Sequence, residues 1–200
     1  MAITNGYATL EEVKLAMSIP ESDTVDDTML EIAIESASRA IDSYTSRNFY
    51  SSGTATRYYS PETNHVVETD DIASLVSIKT KDNNDAYTVT WTSSDYQLEP
   101  LNGLVDGMET PYTRIRAIGD YLFQPLNGEA SVEIRAVFGY SSVPTQVKNA
   151  CLIQSSRLMK RLDSPLGVAG FGDLGVIRVS SRLDPDVAQL LESYRKLRVG

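Results

Sequence analysis

The residues of this chain that could do chemistry are few, and most of them are carboxylates. Gly170-Phe-Gly-Asp-Leu-Gly175 matches the G-x-G-x-x-G spacing letter for letter, and that spacing cradles a pyrophosphate when it follows a strand and opens a helix. Here it follows a segment of helical texture and precedes the extended run Val176-Ile-Arg-Val179, with no βαβ pattern around it. Nucleotide binding is not expected from it. His65 is the sole histidine and Cys151 the sole cysteine, which leaves too few soft ligands for a zinc site and excludes an internal disulfide. A hydrolase triad on His65 would need a nucleophile elbow, and no G-x-S-x-G occurs. Beside Val66 and Val67, His65 reads as a strand or loop residue. The acidic pairs Asp26-Asp27 and Asp70-Asp71 are expected on solvated turns, where adjacent carboxylates rarely hold a divalent cation. Lys81-Asp-Asn-Asn-Asp85 departs from a calcium loop because Ala86 stands where a ligand is needed. No catalytic residue, cofactor or metal is assigned.

Charge carries more information. The net charge is −9, but Lys and Arg against Asp and Glu number 3 to 9 in residues 1–49, 6 to 13 in residues 50–140 and 9 to 5 in residues 141–200. Most of the molecule would repel nucleic acid, whereas the last third would be drawn to an acidic surface, either of a partner or of a sister copy. A sequence pI near 4.6 is the opposite of a nucleic-acid-binding footprint. No run of about 18 apolar residues exists, and the N-terminus lacks a basic-then-apolar leader, so a soluble protein made in a cytoplasm is expected.

The elements that must position these residues fall into three blocks. Thr9-Leu-Glu-Glu12 is a capping box that starts a short helix ending near Met17. After the acidic turn Glu21–Asp27 a longer helix follows, with Leu30, Ala33, Ile34, Ala37, Ile41 and Tyr44 at helical spacing, ending near Arg47. Ala33, Ala37 and Ala40 would admit another helix closely. From Phe49 to Tyr140 the texture is β: Ala55–Ser60, His65–Glu68, Leu75–Thr80, Tyr87–Trp91, Tyr96–Glu99, Thr113–Ile118 and Ser131–Phe138 are candidate strands. The cluster at 81–85 is read as a hairpin turn, and Leu101–Tyr112 as a loop. Such short strands suggest a small sandwich or barrel-like module. Pro144 opens a third helix to about Leu162, apolar on more than one face. Asp184 and Pro185 open a fourth, with Val187, Leu190, Leu191, Tyr194 and Leu197 on one stripe and Arg195, Lys196 and Arg198 at its negative end.

The expected fold class is therefore α+β: a four-helix core made of two N-terminal and two C-terminal helices, residues 1–48 and 141–200, with an antiparallel β subdomain inserted at 49–140. Between the third and fourth helices lies Asp163–Val179, with four glycines at 167, 170, 172 and 175 among Leu166, Val168, Phe171, Leu174, Val176 and Ile177. The glycines forbid a continuous helix, and the apolar side chains need cover, so this stretch reads as a shaped arm.

Tyr7-Ala-Thr-Leu-Glu-Glu-Val-Lys-Leu-Ala-Met17, Ala37-Ser-Arg-Ala-Ile-Asp-Ser-Tyr-Thr-Ser-Arg-Asn-Phe-Tyr50, Ser94-Asp-Tyr-Gln-Leu-Glu-Pro-Leu101, Val143-Pro-Thr-Gln-Val-Lys148 and the glycine-rich arm together resemble the head-tail connector proteins of tailed bacteriophages, the adaptors that dock under the portal. The resemblance implies a structural subunit of a homo-oligomeric ring, usually dodecameric, in the neck of the virion. Its implied partners are the portal protein on one side and head-tail stopper or tail proteins on the other, with assembly in the host cytoplasm and no membrane contact. Genome DNA would pass through the lumen without specific binding. At −9 per copy, twelve copies would carry about −108, and an acidic lumen would keep phosphates from sticking. A stopper or tail-terminator ring protein of the same neck is the alternative. A β insert as large as 49–140 departs from the shorter family members. Candidate subunit or portal contacts are Phe171, Leu174, Val176, Ile177, Arg178, Arg182, Tyr194, Arg195 and Arg198.

Overall fold

In a computed structural model of the chain, residues 3–124, 127–162, 168–170, 176–178 and 183–196 are described. They include four α-helices and an antiparallel sheet. The chain divides into two compact units, one from Met1–Phe49 with Val143–Gly200, the other Tyr50–Ser142.

In the helical unit, α1 (Leu10–Ala16) begins at the expected capping box. The Glu12 amide donates to Thr9 Oγ1 at 3.2 Å and the Thr9 amide donates to Glu12 Oε2 at 2.9 Å. Its buried residues are Val13 and, against its character, Lys14. The lysine ammonium donates to the carbonyls of Asp23 at 2.7 Å and Glu21 at 3.3 Å and pairs with the Asp27 carboxylate. This one side chain gathers the acidic turn onto α1. The helix α2 (Asp27–Thr45) buries Leu30, Ala33, Ile34, Ala37, Ser38 and Ile41. It packs on α3 (Thr145–Leu162), whose buried residues include Val147, Ala150, Cys151 and Ser155. Small side chains meet between them, as at Ser38 and Cys151, where the backbones can approach closely. Ser38 and Ser155 donate to carbonyls of their own helices at 2.8 and 2.7 Å, and Ser38 Oγ lies 3.5 Å from Cys151 Sγ. The helix α4 (Pro185–Leu191) starts where expected, with Asp184 Oδ1 accepting from the Asp186 amide at 2.9 Å and Pro185 in the first turn. It is shorter than its stripe suggested, because the chain tightens into a 3-10 turn at Glu192–Tyr194.

In the β unit, one six-stranded antiparallel sheet forms where a sandwich or barrel was expected. Its strands are β1 (Thr54–Tyr59), β2 (Val66–Lys81), β3 (Tyr87–Trp91), β4 (Tyr96–Glu99), β7 (Tyr112–Ala117) and β8 (Val132–Phe138), with β5 (Leu104–Val105) and β6 (Met108–Glu109) forming a separate ribbon. The spine is β2. His65–Glu68 and Leu75–Thr80, expected as two strands, are parts of this one strand, which pairs with β7 near its start, with β8 along most of its length and with β3 at its end. Register shifts between Glu68 and Ile72 and between Ile72 and Ser74 let it bend across the acidic pair that had suggested a break. The core under the sheet holds Val67, Ile72, Ile78, Ile115, Ile134, Phe138 and the sole tryptophan, Trp91. Trp91 stacks on Phe123 with centroids 4.6 Å apart, and its Nε1 donates to Thr80 Oγ1 at 3.0 Å.

Two turns show what local chemistry decides. At 81–85 the expected hairpin turn joins β2 to β3, closed by Asp82, whose carboxylate accepts from the amides of Asn84 and Ala86 and from Thr88 Oγ1 at 2.8, 3.1 and 2.8 Å. The stretch read as a loop at 101–112 contains the β5–β6 ribbon, turned by Asp106 and Gly107 with φ of 50° and 79°. Both positive values fit the primed two-residue hairpin that Asp-Gly favours.

Candidate assembly interface

Several of the residues that sequence reading singled out for chemistry are engaged in structural contacts. Asp70 and Asp71 sit inside β2 and not on a solvated turn. Asp70 Oδ2 accepts from Arg57 at 2.6 Å and from the Tyr59 hydroxyl at 2.9 Å, and Arg57 also lies 4.0 Å over the Phe138 ring. Burial, then the neighbouring Asp70 charge, pushes the Tyr59 hydroxyl well above the ordinary tyrosine range. Asp27 pairs with Lys14, and the Asp82 carboxylate is held below the usual range, first by the Thr88 hydroxyl and then by the Ala86 and Asn84 amides. His65 is exposed in the bend just before β2. Cys151 is fully buried on α3, where burial pushes its thiol up. Among the described residues no group of three His, Cys, Asp or Glu side chains is placed to hold a metal ion, and no helix is long and apolar enough to cross a membrane.

The arm is where the G-x-G-x-x-G spacing can be judged by its flanks. β9 (Val168–Gly170) and β10 (Val176–Arg178) pair antiparallel, with Gly170 opposite Val176, Ala169 opposite Ile177 and Val168 opposite Arg178. A pyrophosphate-cradling loop joins a strand to a helix, whereas both flanks of 171–175 belong to one ribbon. Of the expected contact residues, Val176, Ile177 and Arg178 form β10, while Phe171, Leu174, Arg182 and Arg198 lie outside the described residues.

Tyr194 and Arg195 close the fourth helix. Tyr194, expected both on the apolar stripe of the fourth helix and as a contact candidate, lies within the helical unit's own core, 7% exposed. Its ring meets Phe49 edge-on at 5.6 Å, its hydroxyl donates to Gln146 Oε1 at 3.0 Å, and its carbonyl accepts from Arg47 Nε at 2.8 Å. Its role is to pin the chain after α4 onto α2 and α3. Arg195 remains exposed, donating to Glu192 at 3.1 Å and lying 5.1 Å over the Tyr44 ring. Below Phe49 is a second buried tyrosine, Tyr7, at an interplanar angle of 87°. Its hydroxyl bonds the Asp42 carboxylate and accepts from the Phe49 amide at 2.9 Å. Burial, then the Asp42 bond, raises the Tyr7 hydroxyl above its ordinary range, and burial likewise raises Asp42.

Sequence reasoning missed the exposed apolar residues of the helical unit. Leu15 is 81% and Val25 87% exposed, and Met29, Ile32 and Ile153 are each about two-fifths exposed. Part of their signal was available: Met29 and Ile32, three residues apart, lie on the flank of α2 away from Leu30, Ile34 and Ile41, and Val25 sits in the turn just before the helix.

Comparison with known proteins agrees with this architecture. The model of the phage gp6-like head-tail connector protein family matches residues 7–98. A chain in a structure described as "Neck of empty GTA particle computed with C6 symmetry" superposes with a TM-score of 0.58 at 18% identity, covering 100% of this chain and 94% of that one. A second, "Neck of native GTA particle computed with C12 symmetry", gives 0.58 at 16% identity over the same shares. No curated protein matches the sequence. At these identities the structural likeness shows a shared fold, and the family read from the sequence, that of phage head-tail connector proteins, is the family whose model the chain matches.

Proposed function

We propose that this protein is a structural subunit of a neck ring that joins a phage-like head to its tail, docking on the portal and prolonging the channel through which DNA passes. The observation that carries the reading is the family match over residues 7–98, which spans α1, α2 and the first strands. The fold shared along the whole chain with a neck protein of a GTA particle supports it. In this reading the four helices, two from each end of the chain, form the ring-building body and the β unit is an insertion into it. The protein acts as a homo-oligomer, a dodecamer by analogy with the family, and has no catalytic step. The acidic bulk of the chain faces DNA without binding it specifically, and the arm with Phe171, Leu174, Val176, Ile177, Arg178 and Arg182 meets a neighbouring copy or the portal. Arg195 and Arg198 add to the same basic region, the stopper or tail proteins follow on the far side, and the site of action is the virion after assembly in the host cytoplasm.

The test is mass measurement in solution, alone and mixed with portal, followed by electron microscopy of any ring. A ring bound to portal is the expected result. A chain that stays monomeric and ignores portal would overturn the proposal, and a ring that binds tail tube but not portal would reassign it to a stopper or tail-terminator.

A further inference from the structure

A ring of identical copies closes through two different surfaces on each chain, one complementary to the other. The helical unit carries two such surfaces. The first is a ridge on α2 and the turn before it, made of Val25, Met29 and Ile32, which are 87, 41 and 43% exposed. Around it the exposed carboxylates are Glu21, Asp23 and Asp26. The second is a groove of about 400 Å³ between the end of α1 and the outer side of α3, floored by Ala16, Leu152, Ile153 and Ser156. Its charged rim is Arg157 and Lys160, with Asp184 paired to Arg157. Lys160 has no ion-pair partner among the described residues, and Leu15, next to Ala16 on α1, is 81% exposed. The two surfaces share no residue.

We propose that the ridge of one copy seats in the groove of the next, so that Val25, Met29 and Ile32 cover Ile153 and Leu152 while the carboxylates of the turn face Lys160. The inference rests on the ring reading and adds to it the identity of a seam. Three features favour a second copy as the occupant. Each surface is apolar at its centre, each carries charge at its edge, and the signs are opposite, which sets register and suppresses wrong partners. The acidic N-terminal and basic C-terminal blocks of the sequence thus become two halves of one contact. Lys14 is part of the device, since its bonds to the carbonyls of Glu21 and Asp23 and to Asp27 hold the turn that presents Val25.

The experiment compares wild type, Ile32→Glu and Lys160→Glu, and a chain carrying Ile32→Cys with Ile153→Cys. Both charge variants alter exposed side chains, so unchanged circular dichroism and melting are expected of the monomers. Each is expected to raise the concentration at which half the chains assemble by at least about tenfold. The double-cysteine chain, oxidised as a ring, is expected to give a ladder of cross-linked multimers on a non-reducing gel, whereas either cysteine alone gives none, the native Cys151 being buried. Wild-type rings together with charge variants that assemble normally and no ladder would overturn the seam and leave the ring reading standing. Rings that persist in Ile32→Glu while portal binding is lost would also overturn it, by making the portal the occupant. Absence of any wild-type ring, with or without portal, would sink the ring reading and the seam together.

Discussion

Replacing Lys14 by methionine tests the packing logic of the helical unit most directly. The two side chains are similar in length, so little volume changes, and what disappears is one buried ammonium. Left behind are the Asp27 carboxylate and the carbonyls of Glu21 and Asp23. Removing one partner of a buried ion pair costs about 3–5 kcal/mol, because the other charge stays uncompensated. Here the Asp27 side chain is 27% exposed and both carbonyls belong to exposed residues that water reaches, so the lower end, about 3 kcal/mol, is expected. For a unit of roughly 100 residues that is a fall of about 12 °C or more in melting temperature. The assay is urea unfolding followed by far-UV circular dichroism, with the m-value checked for constancy. Adding Asp27→Asn to Lys14→Met removes the stranded charge and should recover at least about 1 kcal/mol, a non-additive pair. A Lys14→Met chain within about 0.5 kcal/mol of wild type, or a double variant whose loss is the simple sum, would refute the account.

Phe123→Ala removes the ring stacked on Trp91 and should cost about 3–4 kcal/mol; since Trp91 is the sole tryptophan, its emission should shift to the red and report the loss, and an unshifted spectrum would contradict the stack. Gly6→Ala would drive a Cβ into Ile3 and to 2.9 Å from Ile34 Cγ2, an overpacking worth about 1–3 kcal/mol, and a melting temperature equal to wild type would show that the N-terminal segment shifts freely. Glu12 is held below its ordinary pKa, first by Lys148 at 2.8 Å and then by the Thr9 amide. A depressed folded pKa means stability that is present above the unfolded value, about 4.3, and lost as pH falls through the folded one. Glu12→Gln should therefore lower stability at neutral pH and flatten its decline on acidification, and an unchanged slope in denaturant melts from pH 6 to 3 would count against the assignment.

Legibility followed the range of the interaction. Features set within one turn of chain were readable. The capping box at Thr9, the Asp82 turn and the Asp184 cap with Pro185 rest on residues fewer than eight positions apart, the α2 stripe repeats at steps of three or four, and these formed as expected, the stripe from Leu30 to Ile41. Features set by partners far along the chain were not. The unity of β2 rests on pairing with β7 and β8, strands far along the chain, with Asp70 taken up by Arg57 and Tyr59, whereas in sequence Asp70-Asp71 looks like a break. Lys14 at a core position of α1 makes sense only with the turn at 21–27 folded over it. Tyr194 reads as one member of a stripe and as a contact candidate until Phe49, Gln146 and Arg47 are brought around it. The β5–β6 ribbon is the exception, since Asp106-Gly107 is a strong local hairpin signal and was passed over because the flanking strands are two residues each. As for the candidate contacts, the arm is put forward from composition alone, and the exposed Val25, Met29 and Ile32 were passed over because they stand beside the acidic residues of the turn.

Those acidic residues also bear on why a chain of net charge −9 carries so many carboxylates beside apolar surface. A ridge of valine, methionine and isoleucine left bare on a subunit before assembly invites indiscriminate association. Flanking it with Glu21, Asp23 and Asp26 keeps copies apart through like charge whenever two ridges meet, and penalises any partner that cannot present cations. Only a surface that is apolar at its centre and basic at its edge escapes the penalty, which is the description of the groove with Ile153 and Lys160. The same carboxylates would then serve solubility in the free subunit and selection in the assembled one. This distinction is measurable by salt: raising ionic strength should weaken ridge-to-groove assembly while increasing non-specific ridge-to-ridge association. If salt instead strengthened ring formation at every concentration, the carboxylates would be acting only as solubilising groups, and the selective role argued for them would fall.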